Sequence, residues 1–236
     1  FTDVAATWGM QLSNNQPQNA SFIDHDGDGD LDLLYSNEFN SPYMWRNDGA
    51  APWGDDDGNP DLFSGSLQAD GAAWADFDND GDLDLVMLSG SGFVRLHIND
   101  GSPYWTEEGT ARGMGAAPAG SGSRWGAATV ADWDGDGDLD VYATNTSTDV
   151  IYINNGDATF VQAYPSAIGL GDAGNTTSNA AWADYDQDGD IDVFLPGSGL
   201  YQNDGAGNFQ NVNVETSVTG GFMNGAWADI DNDDRL

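Results

Sequence analysis

Aspartate recurs in this chain at alternate positions of a nine-residue string, and the string is repeated. The copies read Asp24-His-Asp-Gly-Asp-Gly-Asp-Leu-Asp32, Asp76-Phe-Asp-Asn-Asp-Gly-Asp-Leu-Asp84, Asp132-Trp-Asp-Gly-Asp-Gly-Asp-Leu-Asp140 and Asp184-Tyr-Asp-Gln-Asp-Gly-Asp-Ile-Asp192. A fifth, Asp229-Ile-Asp-Asn-Asp-Asp-Arg-Leu236, carries Asp234 in place of the glycine at position six. Oxygens offered from alternate residues of a short loop suit a hard dication. Glycine at position six permits the turn that sends a carbonyl inward at position seven. Without a cation, two carboxylates about 4 Å apart repel by roughly 4 kcal/mol at an effective dielectric near 20. The strings are therefore predicted to be calcium loops, with at least four ions bound.

The candidate metal residues are Asp24, Asp26, Asp28, Asp30 and Asp32; Asp76, Asp78, Asp80, Asp82 and Asp84; Asp132, Asp134, Asp136, Asp138 and Asp140; Asp184, Asp186, Asp188, Asp190 and Asp192; and Asp229, Asp231 and Asp233. Side chains at positions 1, 3, 5 and 9 and the carbonyl of position 7 form the expected ligand set. In the second copy these are Asp76, Asp78, Asp80, Asp84 and the carbonyl of Asp82. The fifth copy should bind weakly, since Asp tolerates positive φ less well than Gly. An EF-hand also opens Asp-x-Asp-x-Asp-Gly, but it needs a Glu at position 12 and flanking helices. Position 12 here is Tyr35, Met87, Ala143 and Leu195. Magnesium is disfavoured because it keeps several waters rather than an all-protein cage.

Acidic residues number 40 against five basic ones, all arginine, and 24 of the acids sit in these strings. The balance argues against nucleic-acid or anionic-membrane partners. Nine Trp, ten Phe and eight Tyr supply core that a disordered acidic chain would lack. There is no cysteine, so no disulfide framework; bound calcium can take that stapling role in an exported protein. No apolar run is long enough to span a membrane. No leader opens the sequence at Phe1, so a signal peptide would be removed or lie outside it. Asn19, Asn145 and Asn175 head glycosylation sequons.

The strings begin at intervals of 52, 56, 52 and 45 residues, the period of four-stranded propeller blades. In the third unit a strand runs from Trp125 into its string, and an alternating strand leaves at Leu139. Then come Val150-Ile-Tyr-Ile153, the hairpin signal Asn154-Asn-Gly156 and a strand at Thr159-Phe-Val161. Asn47-Asp-Gly49, Asn99-Asp-Gly101 and Asn203-Asp-Gly205 repeat the hairpin signal, each followed by an aromatic, Trp53, Trp105 or Phe209. The prediction is an all-β propeller whose calcium loops join the first and second strands, with four full blades and one incomplete blade. Residues 1–10 align with 105–114, so the closing blade would take its last strand from 1–10 and its first from about 223–229. That split makes residues 1–236 a single propeller domain or a fragment of one, with open edges that could recruit a second copy. An acidic insert at 54–61 is predicted to be a solvated turn, with a further cation site as the competing reading.

The phrase Trp74-Ala-Asp-Phe-Asp-Asn-Asp-Gly-Asp-Leu-Asp-Leu-Val86 resembles the FG-GAP/VCBS repeats of integrin α subunits, and residues 1–10 are similar to repeats of the cartilage acidic protein-like group. The resemblance implies a calcium-bearing propeller, usually of seven blades, that is secreted or displayed at the cell surface. It implies no single activity.

Three functions compete. The first is a non-enzymatic calcium-binding module for adhesion, surface assembly or matrix attachment, with an extracellular protein or glycan as ligand. The second is a lectin with sugars held between blades, for which Trp45, Trp53, Trp105 and Tyr201 are candidates; core packing is the competing role for each. Trp74, Trp182 and Trp227, two residues before their strings, read as structural. The third is a calcium-dependent polysaccharide lyase or hydrolase using Arg46, Arg95 or Arg124. Against an enzyme, His25 lies at a non-ligand position of its string, His97 reads as half-buried in an apolar strand, and no serine stands in a nucleophile elbow. No catalytic residue is assigned.

Overall fold

The computed structural model describes residues 17–37, 42–50, 53–55, 69–89, 93–101, 105–115, 125–146, 148–171, 179–212 and 225–229. Each of the four complete acidic strings leads into a strand that begins at its ninth residue: β2 (Asp32–Asn37), β6 (Asp84–Ser89), β10 (Asp140–Asn145) and β14 (Asp192–Leu195). Each of these is the second strand of a four-stranded antiparallel meander. The first sheet is β1 (Pro17–Ile23), β2, β3 (Tyr43–Arg46) and β4 (Gly54–Asp55). The second is β5 (Ala69–Ala75), β6, β7 (Phe93–Ile98) and β8 (Thr106–Glu107). The third is β9 (Trp125–Ala131), β10, β11 (Val150–Asn154) and β12 (Phe160–Ala163), and the fourth is β13 (Ala181–Ala183), β14, β15 (Gly199–Asn203) and β16 (Phe209–Asn211). The only helical element among the described residues is a 3₁₀ turn at Pro165–Ile168.

Burial explains why the second strands are apolar on both sides. All six residues of β6 and of β10 are buried. Along β6, Val86 and Leu88 join a core with Val141 and Tyr152 of the third sheet, while Leu85 and Met87 pack with Leu34 and Met44 of the first. Tyr142 and Ile151 of the third sheet pack with Val193 and Tyr201 of the fourth. Successive sheets thus stack face to face, as blades do, and the first strands β1, β5 and β9 run against one another. The all-β, four-stranded-blade prediction holds for the described residues.

The indoles two residues before the loops hold these seams. Trp74 Nε1 donates to Ser21 Oγ at 3.0 Å and Trp182 Nε1 to Thr129 Oγ1 at 3.0 Å. In both pairs the acceptor lies three residues before the preceding loop. Trp227 Nε1 donates to the carbonyl of Ala181 at 2.9 Å, and its ring stacks on Tyr185 at 5.9 Å. The glycines of the Gly113-Met114 and Gly169-Leu170 pairs also lie on seams. A Cβ on Gly113 would stand 2.1 Å from the Phe160 carbonyl, and one on Gly169 2.1 Å from that of Phe209. Phe160 N in turn donates to the Arg112 carbonyl at 2.7 Å.

Several expectations change. His97 is fully buried, not half-buried, and neither ring nitrogen has a hydrogen-bond partner. Its strand position is filled in the other blades by Trp45, Tyr152 and Tyr201, each opposite the residue after the ninth aspartate. Residues 225–229, expected as a first strand, are not in a strand; the Trp227 anchor holds them instead. Asn145 is 2% exposed within β10, so its sequon is inaccessible in the folded chain. Gly54 and Asp55 of the acidic insert form β4 rather than a turn. The rest of that insert, the register of residues 1–10, Asn175 and the fifth string beyond Asp229 lie outside the described residues.

Candidate metal centres

The loops are ordered by hydrogen bonds between their own carboxylates and backbone. Position 1 accepts the N–H of the position-6 glycine in all four: Asp24 from Gly29, Asp76 from Gly81, Asp132 from Gly137 and Asp184 from Gly189, each at 3.0 Å. Position 5 accepts from position 7, as Asp28 does from Asp30 N at 2.8 Å and Asp80 from Asp82 N at 2.9 Å. The position-6 glycines have φ between 92° and 100°, as the turn requires. Position 4 also lies at positive φ, through Gly27, Gly135, Asn79 and Gln187 (φ 66°), a demand not read from the sequence. Asn79 uses its amide to reach Asp138 Oδ1 of the next loop at 2.9 Å.

These turns gather the carboxylates. Oxygens of Asp24, Asp26 and Asp28 lie within 4.8 Å of one another, as do those of Asp76, Asp78 and Asp84 and of Asp132, Asp134 and Asp136. Asp100, from the hairpin of the second blade, joins Asp78 and Asp80 in a further group and was not among the sequence candidates. Position-7 side chains turn instead toward the hairpin glycine: a Cβ on Gly156 would meet Asp138 Oδ2 at 2.6 Å, and one on Gly205 would meet Asp190 Oδ2 at 2.6 Å. In the fourth loop the Gln202 amide donates to Asp186. Asp229 is half-buried; Asp231 and Asp233 lie outside the described residues.

Position 9 has a second duty. Asp32, Asp84 and Asp192 are fully buried, and each accepts two backbone N–H groups. One donor is the position-2 residue: His25 at 3.1 Å, Phe77 at 3.0 Å and Tyr185 at 3.2 Å. The other is the hairpin asparagine: Asn47 at 2.7 Å, Asn99 at 2.9 Å and Asn203 at 2.8 Å. Asp140 takes Asn154 N at 2.8 Å on Oδ1. The hairpin signal thus marks the residue that ties the third strand to the loop.

A dication fits this donor set. Asp24 Oδ1, Asp78 Oδ1 and Asp140 Oδ2 are buried without a hydrogen-bond partner, an arrangement costly for a carboxylate unless a cation completes it. Burial pushes the Asp84 carboxyl up to about 7 and that of Asp140 up to about 8, although backbone donors lower both. Burial first, and neighbouring carboxylates after it, raise Asp26, Asp78 and Asp134. In both calcium and zinc chemistry a bound cation reverses such shifts.

The FG-GAP-like repeat pattern matches residues 24–87, 76–143 and 132–195. The chain belongs to this family. Its FG-GAP blades resemble, in fold, an Agrocybe aegerita lectin whose structure concerns recognition of non-reducing terminal N-acetylglucosamine. The match covers 85% of this chain and 52% of the lectin, at 20% identity and a TM-score of 0.55. The V. cholerae biofilm matrix protein Bap1 matches over 83% of this chain and 30% of its own, at 20% identity and a TM-score of 0.46. The FG-GAP chain thus spans about half of the lectin and less of Bap1. Comparison with curated proteins gives no match. No helix among the described residues is long and apolar enough to cross a membrane.

The sugar-face candidates fall on the packed side. Trp45, Trp105 and Tyr201 are buried at 6%, 3% and 4% exposure, and Trp53 is half-buried. Of the arginines, Arg46 pairs with Asp48 at 3.0 Å and Arg95 is half-buried on β7, while Arg124 lies outside the described residues.

Proposed function

We propose that this chain is a calcium-stabilised, non-enzymatic binding module of the extracellular space, serving adhesion, surface assembly or matrix attachment. The supporting observation is the set of converging carboxylates with buried, unpartnered oxygens at Asp24, Asp78 and Asp140. Positions 1, 3, 5 and 9 would hold the ion, which supplies charge neutralisation and a cross-link between the first and second strands of each blade. The blade faces then stay rigid enough to present loops to a protein or glycan. A calcium titration by calorimetry, read beside thermal melts in calcium and in EDTA, tests this. At least four equivalents and a large loss of melting temperature in EDTA are expected; a melt indifferent to EDTA would reject it.

A glycan ligand is favoured as a second reading by one cleft. It lies between the third and fourth blades, about 430 Å³ in volume, bordered by Trp133, Trp182, Asp132, Asp134, Asp190 and Asn203. Trp182 is half-buried at its wall, and an apolar ring beside carboxylates that would carry a calcium ion suits the face and hydroxyls of a sugar. Binding on a glycan array that vanishes in EDTA would favour the lectin over the protein-binding module.

A further inference from the structure

The first loop differs from the others at position 2. Phe77, Trp133 and Tyr185 fill that position elsewhere and pack on aromatics of the next blade: Phe160 at 5.6 Å, Trp182 at 5.3 Å and Trp227 at 5.9 Å. His25 occupies the same seam, its ring 6.4 Å from Trp105 and only 6% exposed. Its Nδ1 edge, however, turns back into the loop and meets Asp32 Oδ2. His25 Nδ1 and carboxylate oxygens of Asp26 and Asp32 lie within 4.8 Å of one another. The first loop thus holds two overlapping donor groups that share Asp26. One is all oxygen (Asp24, Asp26, Asp28); the other contains a nitrogen and is walled by the blade seam.

We propose that the first loop is a site for a borderline transition dication of the zinc class, bound by His25 Nδ1, Asp26 and Asp32. Imidazole and carboxylate donors are what zinc takes, and three protein ligands leave a fourth tetrahedral position for solvent. Calcium, which prefers six to eight oxygens, gains little from the imidazole. Two carboxylates neutralise the dication, and the neutral imidazole offers its Nδ1 lone pair with its single ring proton on Nε2. Asp32 is already aimed by the N–H groups of His25 and Asn47, and each oxygen keeps a lone pair. This ion would compete with calcium for Asp26 and for Asp32, the third and ninth positions of the string, so the first loop would respond to two metals where the other three respond to one. The inference rests on the geometry of one loop and stands apart from the ligand-binding reading.

The chain has only two histidines, and His97 is buried with neither ring nitrogen hydrogen-bonded. Imidazole nitrogen NMR therefore reads the site directly. Zinc chloride added to the calcium-loaded protein is expected to shift the ring nitrogens of one imidazole at one equivalent and leave the other unmoved. In His25→Phe, which copies the second loop, calorimetry should show the tightest zinc equivalent weakened at least tenfold, with calcium stoichiometry retained. Two unmoved imidazoles would overturn the proposal. So would zinc binding of wild-type strength in a folded His25→Phe protein, since acidic loops alone would then account for it. Should that variant fail to fold by near-ultraviolet circular dichroism, the wild-type spectrum decides.

Discussion

The side-chain amide of Asn154 donates to the carbonyl of Phe77 at 2.8 Å, joining residues 77 positions apart in neighbouring blades. The same amide reaches the Leu139 carbonyl at 3.2 Å, its oxygen accepts Gly156 N at 3.1 Å, and its backbone N–H serves Asp140. Asn203 repeats the arrangement toward Trp133 at 2.7 Å and Ile191 at 3.0 Å. A hairpin asparagine is thus the joint between its own loop and the loop before it.

Replacing that joint should be costly. Asn154 is 2% exposed, and alanine would leave the half-buried Leu139 carbonyl without its amide donor and the buried Phe77 carbonyl with only the Ala158 N–H. A loss of roughly 2–4 kcal/mol is expected, and aspartate, which cannot donate, should do no better. Urea unfolding of Asn154→Ala and Asn154→Asp in calcium checks this; a loss within experimental error would deny the joint its role. Because Phe77 belongs to the second loop, calcium affinity there should fall together with stability.

Removing calcium should reverse the pH dependence of stability. Burial holds the Asp84 and Asp140 carboxyls near 7 and 8 in the apo fold, against about 4 in an unfolded chain. The folded apo protein therefore keeps protons that the unfolded chain releases, and its stability falls as pH rises through this window. His97, lowered to about 3 by burial, acts oppositely, losing stability below 6.5, so the range from about 6.5 to 8 reads the carboxyls without His97. In EDTA the melting temperature should fall across that range, while calcium, which needs ionised ligands, should stabilise more. Parallel curves with and without EDTA would contradict the assignment.

Much of this was legible because the repeat states its chemistry five times over. Aspartates 1, 3, 5 and 9 and the positive φ of Gly29, Gly81, Gly137 and Gly189 follow from the string alone. The hairpin asparagine was legible as a turn but not as an inter-blade joint, since a sequence does not show which carbonyl lies across a seam. His97 was misjudged for a related reason. Alternation along β7 suggests one exposed face, whereas stacking buries both. The Nδ1 edge of His25 was hidden too, because position 2 faces outward in a loop considered alone.

Two glycines separate backbone strain from steric exclusion. A Cβ on Gly81 would meet nothing within 4 Å, yet its φ is 100°; on Gly113, φ 91°, the same atom would strike the Phe160 carbonyl. Gly81→Ala should therefore cost about 1–2 kcal/mol, a backbone effect, and weaken calcium in that loop. Gly113→Ala should cost more, about 3 kcal/mol or above, because the seam must open. Equal losses in denaturant unfolding would show that the close approach at Gly113 relaxes freely.

The Trp74–Ser21 bond makes a direct test of blade-to-blade coupling. Trp74→Phe and Ser21→Ala each remove one partner and should each cost about 1 kcal/mol. The double variant should cost less than their sum, by about 0.5–1 kcal/mol, as interacting residues do. The seam between the second and third blades supplies the control. There the equivalent positions are Ala73 and Val130, members of one apolar cluster, and the first strands close in until a Cβ on Gly71 would stand 2.5 Å from the Gly126 carbonyl. Val130→Trp should destabilise, and adding Ala73→Ser should not rescue it, although the pair recreates the tryptophan and hydroxyl found at Trp74 and Ser21. Additive losses in the first cycle, or rescue in the second, would mean that the indole bridges do not set the spacing of the blades.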